Sequence, residues 1–218
     1  MSETAPTGVP SRREARRLVQ QDVSRAQLLD AAEEVFGRKG FHEATLKEVA
    51  ELAEFSVGSV YSFFDSKDEL FQQIFVRRGD QFMPRLREIV DDTSLDAVEQ
   101  LHALIDFEIG FFREHRQFGR LYLRYSSVSM LAADREVDMV IASRYEEAMQ
   151  LQASLFRRGQ IKNRFRRGDA DVLSRLFSGL MASYQAMDPL VVGDDPDAEG
   201  GLALNVLHDI VDSAFVIG

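Results

Sequence analysis

GFHEATLKEVAELAEFSVGSVYSFFDSKDEL, residues 40–70, is the stretch that decides the fold. Within it, Thr45-Leu46-Lys47-Glu48 and Ser66-Lys67-Asp68-Glu69 both fit the capping-box pattern, and Ser24-Arg25-Ala26-Gln27 fits it just upstream. In each box the hydroxyl accepts from a backbone N–H three residues on, and the Glu or Gln side chain reaches back to the cap. Such closely spaced starts predict a set of short helices. The first carries Leu28, Ala32, Val35 and Phe36 on one face and ends at Lys39-Gly40, since glycine is favoured just past a helix end. The second starts at Thr45 and turns Leu46, Val49, Ala50 and Ala53 inward. A third short helix runs from about Val57 to Phe64.

The third helix has an uncommon surface. Val60 and Phe64, four apart, face a core with Val57 near the helix start, while Ser59, Ser62 and Phe63 face outward. A helix that enters a groove about 12 Å wide must present small or flat side chains. Gly58 and the serines Ser56, Ser59 and Ser62 supply them. Thr45, capping the second helix, leaves a helix N-terminus to meet a phosphate. Lys47 and Lys67 add charge on either flank, and Tyr61 offers its hydroxyl to the backbone phosphates. The third helix has no Arg, Asn or Gln for a bidentate base contact, so readout falls to thymine-methyl contacts of Val57 and Phe63, serine hydroxyls and DNA shape. Taken alone, this helix is equally compatible with a helical hairpin packed against a neighbour, as in an all-α enzyme.

The whole segment closely resembles the DNA-binding signature of the TetR (tetracycline-repressor) family. Gly40, Phe41, Ala44, Thr45, Ala50, Ala53, Ser56, Gly58, Tyr61, Phe64, Ser66, Lys67 and Leu70 match that signature, and Val49, Ser59, Val60 and Phe63 are close substitutions. The resemblance is firm over residues 24–70 and extends beyond them only in helix count and length. It implies an all-α fold, with an N-terminal three-helix helix-turn-helix domain and a C-terminal helical ligand-binding and dimerisation domain. The function it implies is a ligand-responsive homodimeric repressor that binds a palindromic double-stranded operator. One departure stands out: the family's turn glycine is Glu54 here, which must then tolerate a left-handed or an adjusted turn at a cost of roughly 1 kcal/mol.

Working outward, residues 1–22 contain Pro6, Gly8 and Pro10 and then Arg12, Arg13, Arg16 and Arg17. They read as a flexible basic arm that can turn helical towards its end, either solvated or reaching into a minor groove or onto phosphates. Residues 23–67 form the expected DNA-binding domain and 68–218 the sensor and dimerisation domain. Beyond Lys67 the pattern predicts helices near 67–79, 95–114, 117–130, 135–158, 169–187 and 200–216, the first of them bridging the two parts. No strand pattern or internal repeat interrupts them. Val172, Leu176, Leu180 and Ser183 form one stripe and Leu207, Ile210, Ala214 and Ile217 another; with Gly179 they are expected to pair the helices 169–187 and 200–216 across a two-fold, part of each stripe serving the chain's own core instead.

The expected effector site is built on the helix 95–114. Glu108 has Leu104, Ile105, Phe111 and Phe112 at its helical neighbour positions, so its carboxylate points into an apolar interior and needs a partner. Either Arg120 or Arg124 of the next helix supplies one, or a cationic or hydrogen-bonding ligand does. Phe107, Phe111, Phe112, Tyr122 and Tyr125 are the aromatic candidates around it, with Phe118, Met130 and Met139 in reach. Ordinary core packing is the alternative for every one of these rings.

Composition sets the outer limits. The 218 residues include no cysteine, which excludes disulfides, thiolate metal sites and cysteine nucleophiles. The four histidines, His42, His102, His115 and His208, lack ligand spacing, so no metal and no cofactor is expected. The net charge of −10 divides unequally: residues 1–67 hold nine basic against eleven acidic side chains, and 68–218 hold 17 against 25. Because screening confines each charge to about 8–10 Å, the acidity of the second part leaves DNA binding by the first open. With no apolar run long enough for a membrane and no leader-like start, a cytoplasmic protein is expected. Walker, GxSxG and clustered-histidine motifs are missing, which argues against an enzyme. A ligand-blind DNA-binding or co-regulatory protein would differ by having no internal cavity.

Overall fold

A computed structural model describes residues 11–126, 136–193 and 200–217, with only the backbone of Ser126 and 136–140. Ten helices follow in order among these residues: α1 (Arg12–Glu43), α2 (Leu46–Leu52), α3 (Val57–Phe63), α4 (Lys67–Asp91), α5 (Ala97–Glu114), α6 (Arg116–Ser126), α7 (Glu136–Ile161), α8 (Ala170–Met187), α9 (Pro189–Val192) and α10 (Leu204–Phe215). The nearest approach to sheet among them is an isolated bridge between Phe165 and Val216. The fold is all-α, as the capping pattern requires.

Two expected helix limits are corrected. Helix α1 begins at Arg12, not after Ser24: Ser11 caps it, accepting from Glu14 N at 3.3 Å while the Glu14 carboxylate accepts from Ser11 N at 2.7 Å. Ser24 is a buried mid-helix residue. The four arginines of the basic cluster are therefore exposed on helix, not on a loose arm. Helix α4 continues twelve residues past the expected end at 79, carrying Pro84 inside it. Proline removes one helical hydrogen bond and costs about 3 kcal/mol, but Met83, Leu86, Ile89 and Val90 are all buried around it and offset that loss.

Packing ties the two ends together through α4. One core cluster joins Leu28, Ala32 and Phe36 of α1, Val49 and Ala50 of α2, Val60 of α3, Leu70, Phe71 and Ile74 of α4 and Phe118 and Leu121 of α6. A second joins Leu86 of α4, Leu101, Leu104 and Ile105 of α5, Phe156 of α7, Phe177 of α8 and Leu207 and Phe215 of α10. Helix α4 contributes to both. At the junction, Gly37 of α1 admits α6: a Cβ there would lie 2.6 Å from Gln117 Oε1 and 2.9 Å from Gln117 Cα. Gly40, at φ 79°, breaks α1 where the sequence places its end.

Candidate DNA-binding head and ligand cavity

Helices α2 and α3 meet through a tight turn in which Glu54 takes φ 60°, the left-handed of the two expected backbones. Ser56 caps α3, accepting from Ser59 N at 3.0 Å, and the Ser56 and Ser59 hydroxyls share a hydrogen bond of 2.7 Å. Ser62 donates to the Ser59 carbonyl at 2.6 Å. Val60 and Phe64 are buried, holding α3 to α1 and α2. Its other face is open: Tyr61 is 55% exposed and Val57 38%, with Gly58 and Ser62 exposed beside them. Phe63 departs from expectation, because it is half-buried and packs against the core. Val57, not Phe63, is the outward apolar residue of the pair.

The flanks are pre-ordered by the chain itself. Thr45 caps α2 as expected, but Glu48 then occupies that helix end, accepting from Thr45 N at 3.0 Å and Thr45 Oγ1 at 2.9 Å and pairing with Lys39. The Lys39 ammonium and the Thr45 hydroxyl and N–H hold the Glu48 carboxyl down to about 2. The helix end expected to stand open for a phosphate thus already carries an anion. Lys67 lies 4.6 Å over the Phe41 ring and 3.4 Å from the His42 carbonyl, which places its charge beside the α2 entrance. Lys47 is exposed, 3.6 Å from Glu51.

The second site is a cavity among α4–α8 that opens to solvent. Glu108 and Phe112 of α5, Phe118 and Tyr122 of α6, Phe75 and Phe82 of α4, and Tyr145, Met149 and Gln152 of α7 line it, with Ser178 of α8. Glu108 is buried, and its expected arginine partner is corrected. Gln152 Nε2 donates to it at 2.8 Å. Arg120 is turned to the carbonyls of Val191, Val192 and Gly193, and Arg124 to that of Arg38. Both fasten backbone carbonyls because α6 directs them toward α9 and α1. Without a cation beside it, burial pushes the Glu108 carboxyl up to about 8.

Of the aromatic candidates, Phe112 and Tyr122 line the cavity and three stand outside it. Phe107 packs on Phe82 at 4.9 Å between ring centroids, and Phe111 on Phe82 at 5.2 Å. Tyr125 sits 5.1 Å from Phe71 and accepts from Phe41 N at 3.2 Å, which makes it part of the junction with the head. Met130 and the Met139 side chain lie outside the described residues. Sequence reasoning missed the α4 and α7 walls. Phe75, Phe82 and Met83 continue one stripe along α4, a signal that was available once that helix was allowed to run past 79. Gln152 carries no local signal, because only the packing of α7 on α5 reveals its partner.

Among the described residues no helix is long and apolar enough to cross a membrane, and no three His, Asp or Glu side chains are grouped to hold a metal ion.

The family model for bacterial regulatory proteins of the tetR family matches residues 28–74. The HTH-type transcriptional regulator YfiR of Bacillus subtilis is 37% identical over 75 residues, which are 34% of this chain and 37% of that one. Over the first curated relatives the chain spans only 35–37% of their length. Solved structures match over most of the chain. A TetR-like transcriptional regulator from Rhodococcus sp. RHA1 is 25% identical, with TM-score 0.67 and coverage of 88% of this chain and 92% of that one. The regulator FadR of Bacillus subtilis, solved with stearoyl-CoA, is 18% identical, with TM-score 0.65 and coverage of 85% and 94%. Residues 28–74 thus carry the helix-turn-helix domain of bacterial regulatory proteins of the tetR family, and the helical body behind it has the fold of TetR-like regulators.

Proposed function

We propose that this chain is a homodimeric transcriptional repressor that binds a palindromic operator and is released by a small molecule. The observation that carries the reading is the face of α3, where Gly58, Ser62 and Tyr61 stand open while Val60 and Phe64 anchor the helix. A face of small residues beside a phenol lets the backbone approach base edges while the hydroxyls reach phosphate. Thr45, Lys47, Ser56, Val57, Ser59, Phe63 and Lys67 complete the assigned interface, with Phe63 supporting α3 from its buried side. The helical arginines Arg12, Arg13, Arg16 and Arg17 add phosphate contacts along the approach.

Residues 23–67 are the DNA-binding unit and 68–218 the sensor, with α4 shared. Helices α8 and α10 pair across the two-fold, so that two α3 helices enter successive major grooves about 34–36 Å apart. FadR, of the same fold, is solved with a small molecule; by analogy the cavity beside Glu108, Phe112 and Tyr122 takes this chain's effector. A ligand that favours another arrangement of α4 changes the spacing of the heads. The protein acts by binding, not turnover, and does so with its DNA in the cytoplasm.

The test is selection of genomic fragments on the purified chain, followed by titration of the enriched duplex with rising salt. Tyr61→Phe and Lys67→Met should each weaken binding at least several-fold, with a shallower salt slope for the lysine change. Absence of salt-sensitive affinity for any duplex would overturn the reading.

A further inference from the structure

Within that reading of the cavity as an effector site, we propose that the ligand it takes is an amphiphilic amine. The ammonium head would be received between the Glu108 carboxylate and the Gln152 side-chain carbonyl, with an apolar body lying among the aromatic walls. Glu108 and Gln152 are 5% and 2% exposed and meet across the α5–α7 contact. Gln152 spends its Nε2 on Glu108, while its buried Oε1 has no hydrogen-bond partner among the described residues. A buried acceptor left unpaired costs free energy that a ligand donor can recover. The two residues together offer acceptors from adjacent helices, and an ammonium bearing N–H groups can satisfy both. Phe82, Phe112 and Tyr122 bring π faces to the same cavity, where a cation is attracted to the ring quadrupole.

The opposite polarity is disfavoured by what the cavity's basic residues already do. Arg78 is held by Glu33 at 2.8 and 2.9 Å, and Arg144 by Asp80 at 2.6 Å. A carboxylate ligand would have to share guanidinium groups whose charge is already neutralised, whereas an ammonium competes with none of these pairs.

Proton balance gives the inference its signature. Because burial alone pushes Glu108 up, it is mostly a neutral acid at pH 7. An incoming ammonium favours the ionised form, and the displaced proton goes to buffer. Among the described residues, the titratable and charged groups that line the cavity with Glu108 are Arg78 from α4, Tyr122 from α6, and Tyr145 and Arg144 from α7; α8 brings the hydroxyl of Ser178. Neither a phenol nor a guanidinium changes charge between pH 6 and 8. The linked proton is therefore that of Glu108.

The experiment is calorimetric titration of the full chain with decylamine, decanol and decanoate, in phosphate and in HEPES at pH 7. Decylamine should bind at least tenfold more tightly than either analogue and release about one proton per chain. Its affinity should rise with pH up to about 8 by close to tenfold per unit. Glu108→Gln, which keeps the shape and the neutral charge, should abolish the proton release and weaken decylamine at least tenfold, with decanol unchanged. Failure of decylamine to bind, equal affinity for decanol or decanoate, or proton release that persists in the variant would each overturn the proposal. The heats need no DNA. A chain that binds no duplex would overturn the effector reading while the calorimetry still decides for or against the amine.

Discussion

Glu54 and Glu108 both depart from local rules, and both departures can be read in the sequence. At Glu54 a side chain occupies the left-handed backbone of the turn before α3, where a glycine would be relaxed. Glu54→Gly should therefore stabilise the head by roughly 1 kcal/mol, read as a shift of the urea midpoint. The same change removes an exposed carboxylate beside α3 and, on the proposed reading of that helix, should raise non-specific duplex affinity at low salt. Glu108 was legible as a buried acid from its helical neighbours, but its partner was not, since a glutamine on α7 has no spacing relation to α5. Its folded carboxyl lies at about 8, above the ordinary 4.5. Between those values the folded chain keeps a proton that the unfolded chain releases, so stability is full below about pH 4.5 and falls as pH rises toward 8. Glu108→Gln should leave the melting temperature near pH 4.5 almost unchanged and raise it by several degrees at pH 8, measured by scanning calorimetry.

Helices α1 and α4 are joined by a buried ion-pair cluster that connects the head to the cavity. Glu33 of α1 accepts from Arg77 Nη2 at 2.8 Å and from Arg78 Nε and Nη2 at 2.9 and 2.8 Å. Arg78 also forms part of the cavity wall. Removing one partner of a buried pair leaves an uncompensated charge, although Arg77 remains to share it here. Arg78→Met should cost about 2 kcal/mol and reduce the effect of any bound ligand on DNA affinity, checked by denaturation and by DNA titration with and without ligand. At this scale the sequence was uneven as a guide. Thr45 and Ser66 cap α2 and α4 where their boxes predict, because each begins a helix after a turn. Ser24 fits the same pattern and caps nothing, because Ser11 and Glu14 form the same box earlier and α1 runs through it. A pattern match cannot rank two boxes on one helix; the burial of Ser24 does. The extent of α4 was hidden by Pro84, whose local cost is overridden by packing that only the assembled fold contains.

For the molecule as a whole, the decisive question is whether two heads act together. Helix α8 leaves Val172 and Leu176 53% and 56% exposed, and α10 leaves Val206 and Ile210 52% and 48% exposed. Gly179 and Ser183 are open on α8, and a Cβ at Gly179 would meet nothing within 4 Å. Small residues between exposed aliphatics allow another helix to approach closely. Leu207 and Leu180, read from the sequence as interface residues, instead pack into or against the core, because a helix stripe cannot distinguish its own core from a partner. Helix α10 is held to α5 by His102–Asp212 at 2.7 Å and His208–Asp106 at 2.8 Å, so its outward face has a fixed orientation. Leu176→Glu places a charge on this face at a residue that is 56% exposed and outside the two core clusters. The variant should keep its helical circular dichroism, sediment as a monomer where the parent sediments as a dimer, and lose at least a hundredfold in affinity for a palindromic duplex. A duplex holding one half-site should bind both proteins alike, since joint engagement of two half-sites, not the contact of either head, is what the change removes. If the variant still sediments as a dimer, the two-fold lies on another face, and the spacing of the heads has to be derived from that one.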